Sequence, residues 1–218
     1  MIFEGIIRRF TKQDLGGAVR PFRMTGLESH AVAQVEEDLT DLARAGRLFY
    51  GGNQIIANGI APVAAIPTTT ATLALVNKDA NNTLAISKLN FWLGSGTPAA
   101  GATLFACVVK PTQATADGIT ANGTGFNSAN RNPVSSRKSG ALWTTALTVP
   151  ATTVWEALLS TMQLAAANIG QGDGISYQKG GLLVPPFCAL GIGILSGAGT
   201  TPLYGVSAEW AELELENE

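Results

Sequence analysis

Leu84-Ala-Ile-Ser-Lys-Leu-Asn-Phe-Trp-Leu93 is the run whose reading decides the fold. Successive residues of a β-strand point to opposite faces, so a half-buried strand alternates apolar and polar. Leu84, Ile86 and Lys88 fall on one side here, and Ala85, Ser87 and Leu89 on the other. The apolar side changes over near Lys88, as one inserted residue, a β-bulge, would cause.

Runs of the same kind extend outward from it. Short stretches rich in Thr, Val, Ile, Leu and aromatics predict strands near 68–76, 84–93, 102–110, 141–149, 175–184, 187–195 and 203–215. Between them lie turn clusters at Asn77–Asn82, Gly94–Gly101, Gly170–Gly174 and Ser196–Pro202, and the long segment 111–140. Many short strands at this spacing indicate a sandwich, jelly roll or barrel. Residues 152–169 (TTVWEALLSTMQLAAANI) fit a helix through Val154, Leu158, Met162, Ala165 and Ile169. They fit a strand through Thr152, Thr153 and Trp155, and the all-β surroundings favour the strand. Segment 111–140 reads as a projecting or clasping loop without regular structure, a length that in compact domains tends to be functional.

The N-terminal part has another texture. Residues 1–24 show no period and read as an arm lying on another surface. Residues 25–46 read as a helix: Thr25-Gly-Leu-Glu28 forms a capping box, and Val32, Val35, Leu39 and Leu42 make one apolar stripe. Gly46 follows as a stop signal. The expected organisation is an arm over 1–24, a helix over 25–47 and a β-sandwich domain over 48–218 with the long loop 111–140.

Charged residues make up only 14 % of the 218 residues, against about 25 % in a typical soluble protein. Interface cores are depleted in charge, so a charge-poor exterior suits a surface covered by neighbours better than the alternative, an ordinary neutral surface. The net charge of −2 supplies no overall attraction to nucleic acid. The ends are unequal. Arg8, Arg9, Lys12, Arg20 and Arg23 crowd the start, and Glu209, Glu212, Glu214, Glu216 and Glu218 the finish. Opposite ends can pair between subunits or remain solvated. Arg8, Arg9, Arg20 and Arg23, with Arg131, Arg137 and Lys138 of the long loop, are the candidate protein-contact residues.

The uncharged stretches 48–77 and 180–208 contain too many prolines and glycines for a helix across lipid, so no membrane span is expected. Cys107 and Cys188 sit in apolar runs and read as small buried hydrophobes; a disulfide between them is not signalled. Glu4 and the late position of Arg8-Arg9 reverse signal-peptide order, and synthesis and assembly in the cytoplasm are expected.

The residue inventory argues against catalysis. The single histidine, His30, falls inside the expected helix, and any Ser-His or Cys-His arrangement would have to use it. Gly193-Ile-Leu-Ser196-Gly197 does not have the spacing of a nucleophile elbow. Gly94-Ser-Gly-Thr-Pro-Ala-Ala-Gly101 lacks the Lys-Ser/Thr end of a phosphate loop. Gly170-Gln-Gly-Asp-Gly174 brings one carboxylate, Asp173, a poor calcium site. Glu156 with Asp173 is the one internal carboxylate pair worth weighing for glycoside hydrolysis. No enzyme activity, cofactor or metal is expected. Trp92, Trp143, Trp155 and Trp210 suit sugar stacking if exposed, but each lies in or beside an apolar run and reads as core.

Gly181-Leu-Leu-Val-Pro-Pro186, Ala189-Leu-Gly-Ile-Gly-Ile-Leu195, Gly199-Thr-Thr-Pro-Leu-Tyr204 and Ala208-Glu-Trp-Ala-Glu212 together resemble the closing strands of small jelly-roll proteins in tailed-bacteriophage virions. The Thr/Ala/Gly/Asn-rich style of 60–130 is similar to theirs, and the resemblance spans about residues 60–215. It implies a mainly β, jelly-roll-like antiparallel β-sandwich with an N-terminal arm and one helix. It also implies a virion structural protein, a capsid decoration (cement) or minor head protein, located in the virion and assembled in the host cytoplasm. Its partners would be copies of itself, in a trimer or ring, and the major capsid protein or other virion proteins, without direct nucleic-acid or membrane contact. A tail-associated or fibre-tip module that binds a receptor or glycan is the alternative.

Overall fold

Alternation with a period of two shapes the chain from residue 48 onward. The computed structural model describes residues 39–53, 59–98, 102–162, 172–176, 182–197 and 199–214. These lie in the unit Leu39–Glu218; the arm expected over 1–24 and residues 25–38 of the helix expected over 25–47 fall in the other unit, Met1–Asp38, outside the described residues. The strands in chain order are β1 (Leu48–Asn53), β2 (Thr70–Asn77), β3 (Asn82–Thr97), β4 (Ala102–Val109), β5 (Phe126–Asn130), β6 (Ala141–Thr148), β7 (Glu156–Met162), β8 (Gly172–Ser176), β9 (Leu183–Val184), β10 (Ala189–Ser196) and β11 (Thr200–Glu214).

Two antiparallel sheets result: β5-β1-β11-β3-β8, with β9 also on β3, and β6-β2-β10-β4-β7. The pairings β1·β11, β2·β10, β3·β8 and β4·β7 are nested, the first strand with the last and so inward. A long double ribbon rolled on itself gives this order, and β11·β3 and β10·β4 are the pairs that rolling adds. The fold is therefore a jelly-roll sandwich. The segment between β4 and β7 adds one flanking strand to each sheet, β5 beside β1 and β6 beside β2.

The bulge expected near Lys88 is present. β11 pairs Glu209 with Lys88 but Trp210 with Ile86, which leaves Ser87 as the extra residue. Ser87 Oγ donates to the Glu209 carbonyl at 3.2 Å and to its carboxylate at 2.9 Å, so its side chain anchors the irregular step. Burial shifts accordingly, from Leu84 and Ile86 before the bulge to Leu89, Phe91 and Leu93 after it.

The core between the sheets is apolar and aromatic. Leu73, Leu75, Leu104, Leu190, Ile192 and Ile194 face Leu89, Phe91, Leu93, Tyr204 and Val206. At one side Phe126 stacks on Trp143 at 5.9 Å, Trp143 meets Trp210 edge-on at 6.3 Å, and Trp210 stacks on Phe49 at 6.3 Å. Each such ring buried adds roughly 1.5–3 kcal/mol of transfer free energy. The alternate positions of β2, β4 and β10 point the other way and build a second, smaller cluster from Ala74, Val76 and Ala189, with Val109, Ile119 and Trp155 against it.

Several sequence expectations change. Segment 111–140 is not structureless: it contains a helical turn, Gln113–Asp117, and strand β5. Strand β1 is absent from the expected strands, and its Gly51-Gly52 pair weakens the strand pattern in the sequence. Glycine is required there by close approach: a Cβ on Gly51 would lie 2.4 Å from the Asn127 carbonyl, and one on Gly52 2.2 Å from that of Val206. Of the strand expected over 175–184, β8 covers 175–176 and β9 covers 183–184, while 177–181 lie outside the described residues; β8 begins inside the glycine cluster read as a turn. Within 152–169 the strand reading holds over Glu156–Met162; 163–169 lies outside the described residues. β11 starts at Thr200, inside the expected turn, with Thr201 at φ 43° and register shifts up to Tyr204.

Candidate contact surface and charged groups

The end of the expected helix is described, over 39–44. It closes on Gly46 at φ 71°, where the Gly46 N–H bonds the Ala43 carbonyl and the Arg47 N–H the Leu42 carbonyl. This pair of bonds is the Schellman arrangement that favours glycine as a helix terminator.

Residues 131–140 dock on that helix end and on β11. The loop shapes itself by side-chain acceptors that take the backbone N–H two residues on: Asn130 from Asn132, Asn132 from Val134, Ser135 from Arg137 and Ser139 from Ala141. Such Asx and Ser turns replace a backbone ladder. Asn130 Nδ2 and Asn132 Nδ2 then donate to the carbonyls of Gly46 and Arg44, at 2.7 and 3.0 Å.

Its charges meet the acidic strand. Arg131 pairs with Glu209 and lies 4.5 Å over the Tyr50 ring. Arg137 stands 3.7 Å from Glu212, and Arg47 pairs with Glu214. Glu212 is only 1 % exposed and accepts from Ser139 Oγ at 2.7 Å and Gly140 N at 2.8 Å. Ser139 Oγ also accepts from Trp210 Nε1 at 3.1 Å, so the loop is tied to the aromatic core. A carboxylate this deep needs such donors, because an unpartnered buried charge is costly.

Of the candidate contact residues, Arg131 and Arg137 thus join partners within the chain, and Lys138 is exposed beside them. Arg8, Arg9, Arg20 and Arg23 lie outside the described residues, as does His30. Three of the C-terminal glutamates, Glu209, Glu212 and Glu214, have intrachain cations. These charge pairings could not be read from spacing, since the partners Arg131–Glu209, Arg137–Glu212 and Arg47–Glu214 are 78, 75 (212 − 137) and 167 positions apart.

Glu156 and Asp173 fall on β7 and β8, strands of different sheets. Among the described residues no group of three or more His, Cys, Asp or Glu side chains is arranged to hold a metal. No described helix is long and apolar enough to cross a membrane. Cys107 is buried and Cys188 half-buried, and they form no disulfide. Burial pushes the Cys107 thiol up to about 12, with the Gly191 N–H acting the other way. Burial also raises Cys188, opposed by the charge of Lys110.

The tryptophans divide. Trp143 and Trp210 are core, as expected. Trp155 packs on the outside of the β2/β4/β10 sheet, edge-on to Phe105 at 5.2 Å. Trp92 is half-buried on the outside of the other sheet, its indole lying against Gly205. Comparison with protein-family models, with curated proteins and with solved structures finds no match to this chain.

Proposed function

We propose that this chain is a virion structural protein of the capsid-decoration or minor-head kind, which stabilises a shell by binding its neighbours in the assembled state. The observation that carries the reading is the nested strand pairing of a jelly roll, the architecture that the resemblance of the closing strands implies. The charge-poor composition supports it, because a surface meant for protein neighbours has less need of solvated charge. The intrachain pairing of Glu209, Glu212 and Glu214 also offsets the negative charge of β11 within the chain.

A protein of this kind acts by mass action: it binds the assembled lattice and not the free subunits, and so shifts the balance towards the shell. Residues 1–24, with Arg8, Arg9, Arg20 and Arg23, are the proposed arm that engages a neighbour. Deleting 1–24 should leave the β-sandwich melting as before and abolish incorporation into particles. Unimpaired incorporation of the shortened chain would remove that role from the arm. Cross-linking mass spectrometry on purified particles tests the larger reading, which fails if the chain is found to be a monomer without virion neighbours.

A further inference from the structure

The outer face of the β1/β11/β3 sheet carries an aromatic side chain, Trp92, with an amide and a hydroxyl in the next row. Trp92 and Gly205 are register partners on β3 and β11. A Cβ on Gly205 would lie 2.1 Å from Trp92 Cε2 and 2.5 Å from its Nε1, so the missing side chain lets the indole lie on the strand. Trp92 is half-buried, one face against the sheet. Two residues along the same face, about 7 Å away, come Asn90 and its register partner Ser207, bonded to each other at 3.3 Å. The next row holds Lys88, Glu209 and Tyr50, with Tyr50 39 % exposed under Arg131. Glu209 is paired with Arg131 and Lys88 is exposed in that row, so the groups next to the ring are the amide of Asn90 and the hydroxyl of Ser207.

The other sheet uses the same device and closes it. There Phe105 lies over Gly193, where a Cβ would be 2.2 Å from its Cζ, and Trp155 covers Phe105 to 1 % exposure. Among the described residues, one aromatic platform has a lid and the other, Trp92, stays half-buried. A flat π-face rimmed by neutral donors and acceptors suits a pyranose ring, whose C–H face is apolar and electropositive while its edge carries hydroxyls. We infer that Trp92, Asn90 and Ser207 form a binding site for a neutral oligosaccharide, with the indole stacking on one sugar ring and the amide and hydroxyl bonding its edge. This goes beyond the virion role and does not depend on it.

The test titrates the full chain with maltohexaose, cellohexaose, chitohexaose and mannohexaose, by calorimetry and by the indole N–H resonance of Trp92. At least one should bind saturably and shift that resonance. Trp92→Ala should weaken binding about tenfold or more, the loss of one stacking contact. Gly205→Val, which pushes the indole off the strand, should do the same, and Asn90→Ala should weaken binding less. Thermal melts of each variant separate lost binding from lost folding, and Asn90→Ala keeps the test available if the other two fail to fold. Failure of all four sugars to saturate at tens of millimolar overturns the site, as does binding that survives Trp92→Ala. Binding confined to sulfated polysaccharide and abolished by salt would move the contact to Lys88 and Arg131 and also overturn it.

Discussion

The two outer faces of this sandwich begin from the same local arrangement and end differently. On each, an aromatic side chain lies across a glycine of the neighbouring strand, Phe105 over Gly193 and Trp92 over Gly205. On the Phe105 side, the chain after β4 and the approach to β7 bring Ile119 and Trp155 down on Ala74, Val76 and Ala189, and a second small core forms. Lys78 Nζ helps by donating to the Ala116 carbonyl at 2.7 Å, which ties the helical turn to the β2–β3 turn. On the Trp92 side the described neighbours on β3 and β11 are Asn90, Ser207, Lys88 and Glu209, with Gly172 and Gly174 of β8 alongside, and these are polar or glycine. An aromatic residue beside a glycine does not say whether it belongs to a core; what the rest of the chain lays over it does.

The comparison breaks most visibly at the lid. Trp155→Ala should cost about 2–3 kcal/mol, less than a fully buried tryptophan because the ring is only half-buried, and denaturant melts measure it. The Trp155 ring also lies near Gly191, against which the Cys107 sulfur packs. With its thiol at about 12, Cys107 should alkylate very slowly at pH 8 in the native protein, and faster once Trp155 is removed. Equal labelling rates in the two proteins would mean that Trp155 is no lid.

A smaller effect should appear at the turn that anchors the covered face. Burial alone raises the pKa of Asp79, but the Asn81 N–H, the Asn82 side chain and N–H, and the charge of Arg137 outweigh it and hold it below 3.8. A carboxylate lowered on folding contributes stability above its unfolded value, and that contribution is lost as pH falls through the folded one. Asp79→Asn should therefore cost about 1 kcal/mol at neutral pH, and the gap from wild type should close below about pH 4. A gap constant with pH would separate Asp79 from the acid sensitivity. The smallest change is expected on the open face: Trp92→Ala should alter stability by under about 1 kcal/mol. A loss as large as that of Trp155→Ala would show that Trp92 is covered like Phe105 and remove the contrast.

Much of this was legible in the residues. The alternation of 84–93 and its reversal near Lys88 are visible because each side chain reports its own side of the strand. Gly46 was readable as a helix stop because a positive φ suits glycine. Strand β1 was hidden because glycines that admit a neighbouring backbone look the same in sequence as glycines of a turn. β5 was hidden because Phe126-Asn-Ser-Ala-Asn130 has one large apolar residue, and only its seat beside β1 makes it a strand. The contact role expected for Arg131 and Arg137 came from their place in a long polar loop; their carboxylate partners on β11 are brought to them by the fold.

By itself the sequence determined that this chain is mainly β, of the sandwich, jelly-roll or barrel kind, and poor in charge, because period and composition are local properties that each segment carries with it. The tertiary structure alone decided which strands are neighbours, which arginine meets which glutamate, and which of two aromatic platforms is sealed. Those are contacts between residues far apart in the chain, and no local pattern encodes a partner that only folding brings within reach.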